Sequence, residues 1–405
     1  MKKITAFFIL VILISFVSCD TVTHYTMRVS VDRDPIGDIA LYGDVIVFIA
    51  GSYKEGGVVK ACYWENGTRT DLYKGTGDSY TSSIAVVGSD VYVAGGYSNG
   101  GVGKACYWKN GTRTDLPGGG TGDSNTSSIT VVGSDVYVAG YYSDGNVIKA
   151  CYWKNNTRID LSGGGTGNSN KTSSIAVVGS DVYITGQNFD HFANGNVFSR
   201  PEAFYWKNNT KINLPGFASA GETITVDGRK TYFPEGVPTF AHSITVVGSD
   251  VYVAGDYYLD GTNHRPCYWK NGKRIDLPFE GSSSITPGRI PEDHSTQLTS
   301  ITVVGSDIYV AGYYVTGSYG RESVKAQYWK NNNRIDLPVG KDYSSVAQSI
   351  AIVGPGVYVA GYYYAVSDPY ESRQYKACYW KGATKIDLPV PSGATESFAF
   401  SITVK

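Results

Sequence analysis

Residues Ser128–Leu161 read SITVVGSDVYVAGYYSDGNVIKACYWKNNTRIDL, and this stretch decides the fold. It divides into four short segments. Ile129–Val132 and Val136–Ala139 are nearly unbroken apolar runs rich in β-branched residues and tyrosine, the composition of strands buried on both faces. Gly133-Ser134-Asp135 between them is a tight-turn sequence. Ala150–Trp153 is a third run, and Asn155-Asn156 (Asn110-Gly111 in the preceding copy) marks the next turn. The fourth segment alternates, with Thr157, Ile159 and Leu161 on one side and Arg158 and Asp160 on the other. Charge at alternate positions is how an exposed edge strand avoids pairing with other chains. Polarity thus rises from the first segment to the fourth, which predicts the first strand innermost and the fourth at the rim.

The unit recurs along the chain. Trp64, Trp108, Trp153, Trp206, Trp269, Trp329 and Trp380 are all the tryptophans, each preceded by tyrosine, at spacings of 44, 45, 53, 63, 60 and 51 residues. Four strands in a unit of roughly 40–50 residues are the signature of a β-propeller blade, and seven copies predict an all-β, seven-bladed ring. The first copy reads as Ile39–Tyr42, Val45–Ala50, Lys60–Trp64 and Thr68–Leu72. Ser397–Lys405, SFAFSITVK, repeats the start of a first strand, which predicts that the C-terminal strand closes the ring. Because Ile39–Tyr42 also resembles a first strand, a rudimentary eighth blade stands as the alternative to seven.

Residues 1–18 differ in kind. Lys2 and Lys3 precede an apolar run from Ile4 to Val17, the layout of a secretory signal and short for a membrane-spanning helix. Phe16-Val17-Ser18-Cys19 resembles a bacterial lipobox, with phenylalanine where leucine is commonest. That resemblance implies lipidation at Cys19 and a lipid anchor in a bacterial cell envelope; the repeat then leaves 19–36 as a tether and 37–405 as the propeller.

The 49 glycines, 33 tyrosines and 18% charged residues fit a turn-rich β protein and exclude a disordered or helical one. A formal charge of −1 offers no footprint for nucleic acid. Cys62, Cys106, Cys151, Cys267 and Cys378 each sit two residues before a repeat tryptophan, in a slot that holds Phe204 and Gln327 elsewhere. Equivalent positions on neighbouring blades lie too far apart for a disulfide, so these read as free thiols packed as small hydrophobes. No metal-ligand spacing occurs, and no cofactor is implied.

The turns joining strands one to two and three to four share one face of a propeller and stay short in nearly every copy. Length varies only on the opposite face, in Gln187–Glu202, Tyr313–Lys325 and Tyr362–Lys376 within blades and in Pro215–His242 and Pro278–Thr299 between them. Glu222–Val226 and Lys230–Phe233 flank Asp227-Gly228 and predict a hairpin inside one insertion. Tyr141, Tyr142, Asp144, Asp256, Tyr257, Tyr313, Arg321, Tyr362, Glu371 and Arg373 make this face the candidate binding surface, since tyrosine supplies contact area and a hydroxyl at low entropic cost. Ser83, Ser128, Ser174, Ser243, Ser300, Ser349 and Ser401 open the inner strands and would ring the channel there, bonding either a ligand or the strand ends. The outer acids Asp71, Asp115, Asp160, Asp276, Asp336 and Asp387 are expected to bond within or between blades, and Asp90, Asp135, Asp181, Asp250 and Asp307 to cap their turns.

For catalysis, the insertions offer His191, His242, His264 and His294 with Asp190, Glu222, Glu235, Glu292 and Asp293, but no nucleophile, phosphate-loop or sialidase motif. Tyr152-Trp153-Lys154-Asn155 followed by Ile159-Asp160-Leu161 resembles the extracellular HAF-type repeat, A-F-x-W-x-N-G-x-x-x-D-L with a glycine-rich loop after it. The second copy fits best, through Trp108, Asn110, Gly111, Asp115, Leu116 and Gly118–Gly120, while Val-Tyr-Val-Ala-Gly is similar to kelch repeats. The resemblance implies a secreted or envelope propeller and supplies no catalytic residues. The expectation is a monomeric, membrane-anchored module binding a protein or glycan. An enzyme acting on carbohydrate and a scaffold for envelope proteins remain as alternatives.

Overall fold

The computed structural model describes residues 30–33, 39–42, 45–118, 122–145, 147–162, 170–188, 201–216, 222–226, 229–233, 237–258, 264–279, 295–316, 323–365 and 374–405. Seven four-stranded antiparallel sheets form a seven-bladed β-propeller. Numbered by their tryptophans, blade three contains Ser124–Val132, Asp135–Asp144, Val147–Lys154 and Thr157–Asp160, paired in chain order. The seven first strands touch one another cyclically, so they line the axis, as the polarity gradient predicts. Blade one is closed by the C-terminal strand Ala394–Val404, which pairs with Val47–Glu55. Ile39–Tyr42 therefore supplies no first strand; it pairs with Ser30–Arg33 in a separate two-stranded unit, and the eighth-blade alternative falls. The predicted hairpin forms between Glu222–Val226 and Arg229–Phe233.

The repeat residues serve backbone needs. Asn110 and Gly111 both adopt positive φ (50° and 79°), as a tight two-residue hairpin turn requires. Asn110 Oδ1 accepts the Val91 N–H at 2.8 Å, tying that turn to the second strand. Asp90 does not simply cap its own turn: it accepts the Asn110 side-chain N–H at 2.7 Å and pairs with Lys109 at 2.8 Å, joining the two short turns of one blade. The outer acids bond within their blades, Asp160 to Arg158 at 2.9 Å and to the Tyr142 hydroxyl at 3.1 Å.

Blades are latched by tryptophan. All seven are buried, and six donate the indole N–H to the carbonyl just after the Asp-Leu (Asn-Leu in blade four) of the preceding blade; Trp153 reaches Pro117 at 2.9 Å. Trp108 has no such partner among the described residues. Beside it, the five cysteines are free and buried, and burial pushes every thiol upward in pKa, so they act as packing groups.

Each first strand carries a bulge that places an extra residue just before the serine, Ser82, Ser127, Ser173, His242, Thr299, Gln348 or Phe400, and the closing strand carries a second at Thr395. Bulges re-aim a side chain and sharpen the local twist. They also explain the repeated glycine of Ala-Gly on strand two. A Cβ on Gly140 would lie 2.1 Å from the Asn125 carbonyl oxygen and 2.7 Å from the Trp153 ring, space that no other residue can share.

Candidate functional site: the long-loop mouth

Counting back from the inner-strand serine locates the divergent residues. The two positions one and three before it hold Ser82 and Tyr80, Ser127 and Asn125, Ser173 and Lys171, His242 and Phe240, Thr299 and Gln297, Gln348 and Val346, and Phe400 and Phe398. The residues three before the serine pair with Gly96, Tyr141, Gln187, Asp256, Tyr313, Tyr362 and Ser52 on second strands. Both sets lie at the end of the strands from which the variable loops leave. The serines themselves are occupied structurally: Ser174, Ser243, Ser300, Ser349 and Ser401 each accept the backbone N–H of the next blade's isoleucine at 3.2–3.3 Å. Among the described residues Ser83 and Ser128 have no such bond.

Blade five breaks the repeat most. Asp256 is fully buried, and both carboxylate oxygens are taken: Oδ2 accepts from His242 Nε2 at 2.7 Å and Oδ1 from His264 Nδ1 at 2.6 Å. Burial alone pushes this carboxyl up, but the His242 charge and the hydrogen bonds from both imidazoles outweigh it, and the net shift is downward. Asp256 is therefore a carboxylate at neutral pH. With the His264 proton on Nδ1, its Nε2 accepts from Gln297 Nε2 at 3.3 Å, and the Gln297 oxygen accepts the Tyr313 hydroxyl. Along His242–Asp256–His264–Gln297–Tyr313 the donations converge on the Asp256 carboxylate, from His242 on one side and from Tyr313 through Gln297 and His264 on the other, across blades five and six.

The arc continues as aromatic rings. Tyr313 is held protonated, pushed up to about 12 by burial and then by neighbours that include Tyr362 and Asp256. Tyr362 stands edge-on to Phe398 at 5.1 Å and to Tyr375 at 5.6 Å, and Phe398 stacks on Phe400 at 5.9 Å. Across the mouth, Lys171 lies 5.2 Å over Tyr141. A cleft of about 200 Å³ between blades seven and one shares Tyr375 and is lined further by Gln374, Lys376 and Glu396.

The structure thus joins Asp256, Tyr313 and Tyr362 from the predicted surface with His242 and His264 from the catalytic candidates. Tyr142 and Tyr257 belong to the core instead, buried beneath Arg158 (3.9 Å) and Arg274 (4.7 Å), because consecutive strand residues point to opposite faces. Asp144 is exposed and paired with Lys149 at 2.7 Å. Cys19, Arg321, Glu371, Arg373, His191, His294, Asp190, Glu235, Glu292 and Asp293 lie outside the described residues. Sequence reasoning missed Phe240, Gln297, Tyr375, Phe398 and Phe400. The signal for four of them was present: aligning the seven serines shows Phe398 and Phe400 where blade three carries Asn125 and Ser127, and Phe240 and Gln297 at the same variable position in blades five and six. Among the described residues no group of histidine, cysteine and acids is arranged to hold a metal.

No family model and no curated protein matches the chain. Among solved structures it is similar to a puromycin-hydrolyzing peptidase of Mycobacterium tuberculosis, at 12% identity and TM-score 0.47, covering 91% of this chain and 54% of that one. The chain therefore spans about half the length of that peptidase. The β-propeller domain of the Trilobed protease from Pyrococcus furiosus aligns at 8% identity and TM-score 0.46, covering 91% and 97%. A GH74 enzyme of Niastella koreensis aligns at 13% identity and TM-score 0.42, covering 78% and 46%. At these scores they add nothing to what strand pairing already shows.

Proposed function

We propose that this propeller is a lipid-anchored module of a bacterial envelope that binds a protein or glycan at its long-loop mouth. One observation carries the reading: the first and second strands are nearly constant toward the short turns and differ blade by blade at the other end, where half-buried polar and aromatic side chains meet. Side chains that the repeat does not need for folding are the ones available for recognition. The test is to probe arrays of host and envelope proteins and glycans with the detergent-purified chain and with a Tyr362→Ala/Phe398→Ala variant. Ligands held at the mouth weaken with the variant; ligands indifferent to it would place recognition elsewhere. For the anchor, Cys19→Ala is expected to shift the protein out of the membrane fraction, and a variant that stays there would end the lipoprotein reading.

A scaffold role has one observation in its favour. Val87, Val132, Val178, Val247 and Val304, the last residues of five first strands, are 38–46% exposed at the short-turn end. Hydrolysis of carbohydrate has less support, since it calls on two carboxyl groups and the arc described above holds one, Asp256, with both oxygens engaged.

A further inference from the structure

We infer that the ligand of the long-loop mouth is a neutral saccharide, seated between the Gln297–Tyr313 pair and the ring wall of Tyr362, Tyr375, Phe398 and Phe400; this rests on the binding reading above. The arc offers no accessible permanent charge. Its one carboxylate, Asp256, has no exposed surface and gives both oxygens to imidazoles. None of Phe240, His242, His264, Gln297, Tyr313, Tyr362, Phe398 or Phe400 is a lysine or arginine. An anionic ligand would find no permanent cation in this arc, and a cationic one would find the negative charge sealed.

What remains is neutral and oriented. The proton order fixes the Gln297 amide, with nitrogen toward His264 and oxygen toward Tyr313. By valence the amide retains a second N–H, and the phenol oxygen retains lone pairs. A donor and an acceptor side by side match two adjacent hydroxyls of a sugar, one accepting and one donating. Beyond them, Phe398 and Phe400 stack at 7° to one another, offering ring faces to the C–H face of a pyranose.

The experiment measures binding of the detergent-purified full chain to neutral cello-, xylo-, manno-, galacto- and chito-oligosaccharides, and to heparin and polygalacturonate as acidic controls. Binding to at least one neutral series is expected, weakened about 10-fold, or about 1.4 kcal/mol, by Gln297→Ala and again by Phe398→Ala. Tyr313→Phe deletes a single hydroxyl and keeps the test valid if the larger changes disturb folding, which thermal melting monitors. Absence of neutral-oligosaccharide binding at millimolar concentration overturns the inference, as does binding unchanged by Gln297→Ala and Tyr313→Phe. A protein ligand sensitive to Phe398→Ala, with no saccharide bound, would sink the inference and leave the binding reading standing. Failure of every ligand to respond to mouth substitutions would remove both.

Discussion

At the short-turn end, blades three and five are interchangeable. Asn155 accepts from Val136 N at 2.9 Å and Asn271 from Val251 N at 2.8 Å, while Lys154–Asp135 and Lys270–Asp250 both measure 2.9 Å. At the other end of the same strands, blade three presents Asn125, Ser127 and Tyr141, and blade five presents Phe240, His242 and Asp256. The difference lies in what the side chains are for. Short-turn residues complete backbone hydrogen bonds that every copy must satisfy. The bulge residue and its neighbours hang on a ladder that the backbone closes without them, so their chemistry is free to diverge.

Four experiments press on this comparison. The largest effect is expected from deleting Ser397–Lys405, which removes the strand paired with Val47–Glu55 and buried Ile402, and opens blade one at both ends. Aggregation and loss of a cooperative melt are expected; a truncated chain that melts like the full one would break the closure argument.

Asp256→Ala comes next. It strips two imidazole donors of their acceptor and is expected to cost about 3 kcal/mol in denaturant unfolding. Because the folded pKa lies below the ordinary 3.8, the carboxylate's stabilisation is present above that value and lost as pH falls through the folded pKa. The gap between wild type and variant should therefore close in acid, and a pH-independent gap would contradict the charged network.

The asparagine series tests uniformity. Asn110→Ala, Asn155→Ala and Asn271→Ala are each expected to cost about 1–2 kcal/mol, alike from blade to blade, through the lost bond and the positive φ. Unequal costs would mean that the short-turn end is less regular than its geometry.

The smallest effect is a difference. Trp153→Phe leaves the Pro117 carbonyl without its indole donor, whereas Trp108 donates to no group among the described residues. Trp153→Phe should be the more damaging by about 1 kcal/mol, and equal losses would make the indole bond unimportant to the latch.

Much of this was legible in the sequence. The tryptophan spacing counted the blades, Asn-Gly marked the outer hairpins, and the Ser-Ile-Thr-Val echo near the C-terminus identified the closing strand. The misplaced segment was Ile39–Tyr42: four apolar residues suit any strand, and only pairing showed that a better first strand lay over 340 residues away in Ala394–Val404. Tyr142 and Tyr257 looked equivalent to Tyr141 and Asp256 because a tyrosine at the end of strand two carries no mark of which face it takes.

The sequence by itself determined the repeat and the face where variation collects, and favoured seven blades over eight, because these follow from local periodicity and turn chemistry; strand pairing decided the number. Only the tertiary structure decided that His242, Asp256, His264, Gln297 and Tyr313 form one hydrogen-bonded arc continued by Phe398. Those residues are spread over more than 150 positions: the packing of blade five against blade six joins His242 to Tyr313, and the closing of the ring, which sets blade seven against blade one, brings Phe398 beside Tyr362.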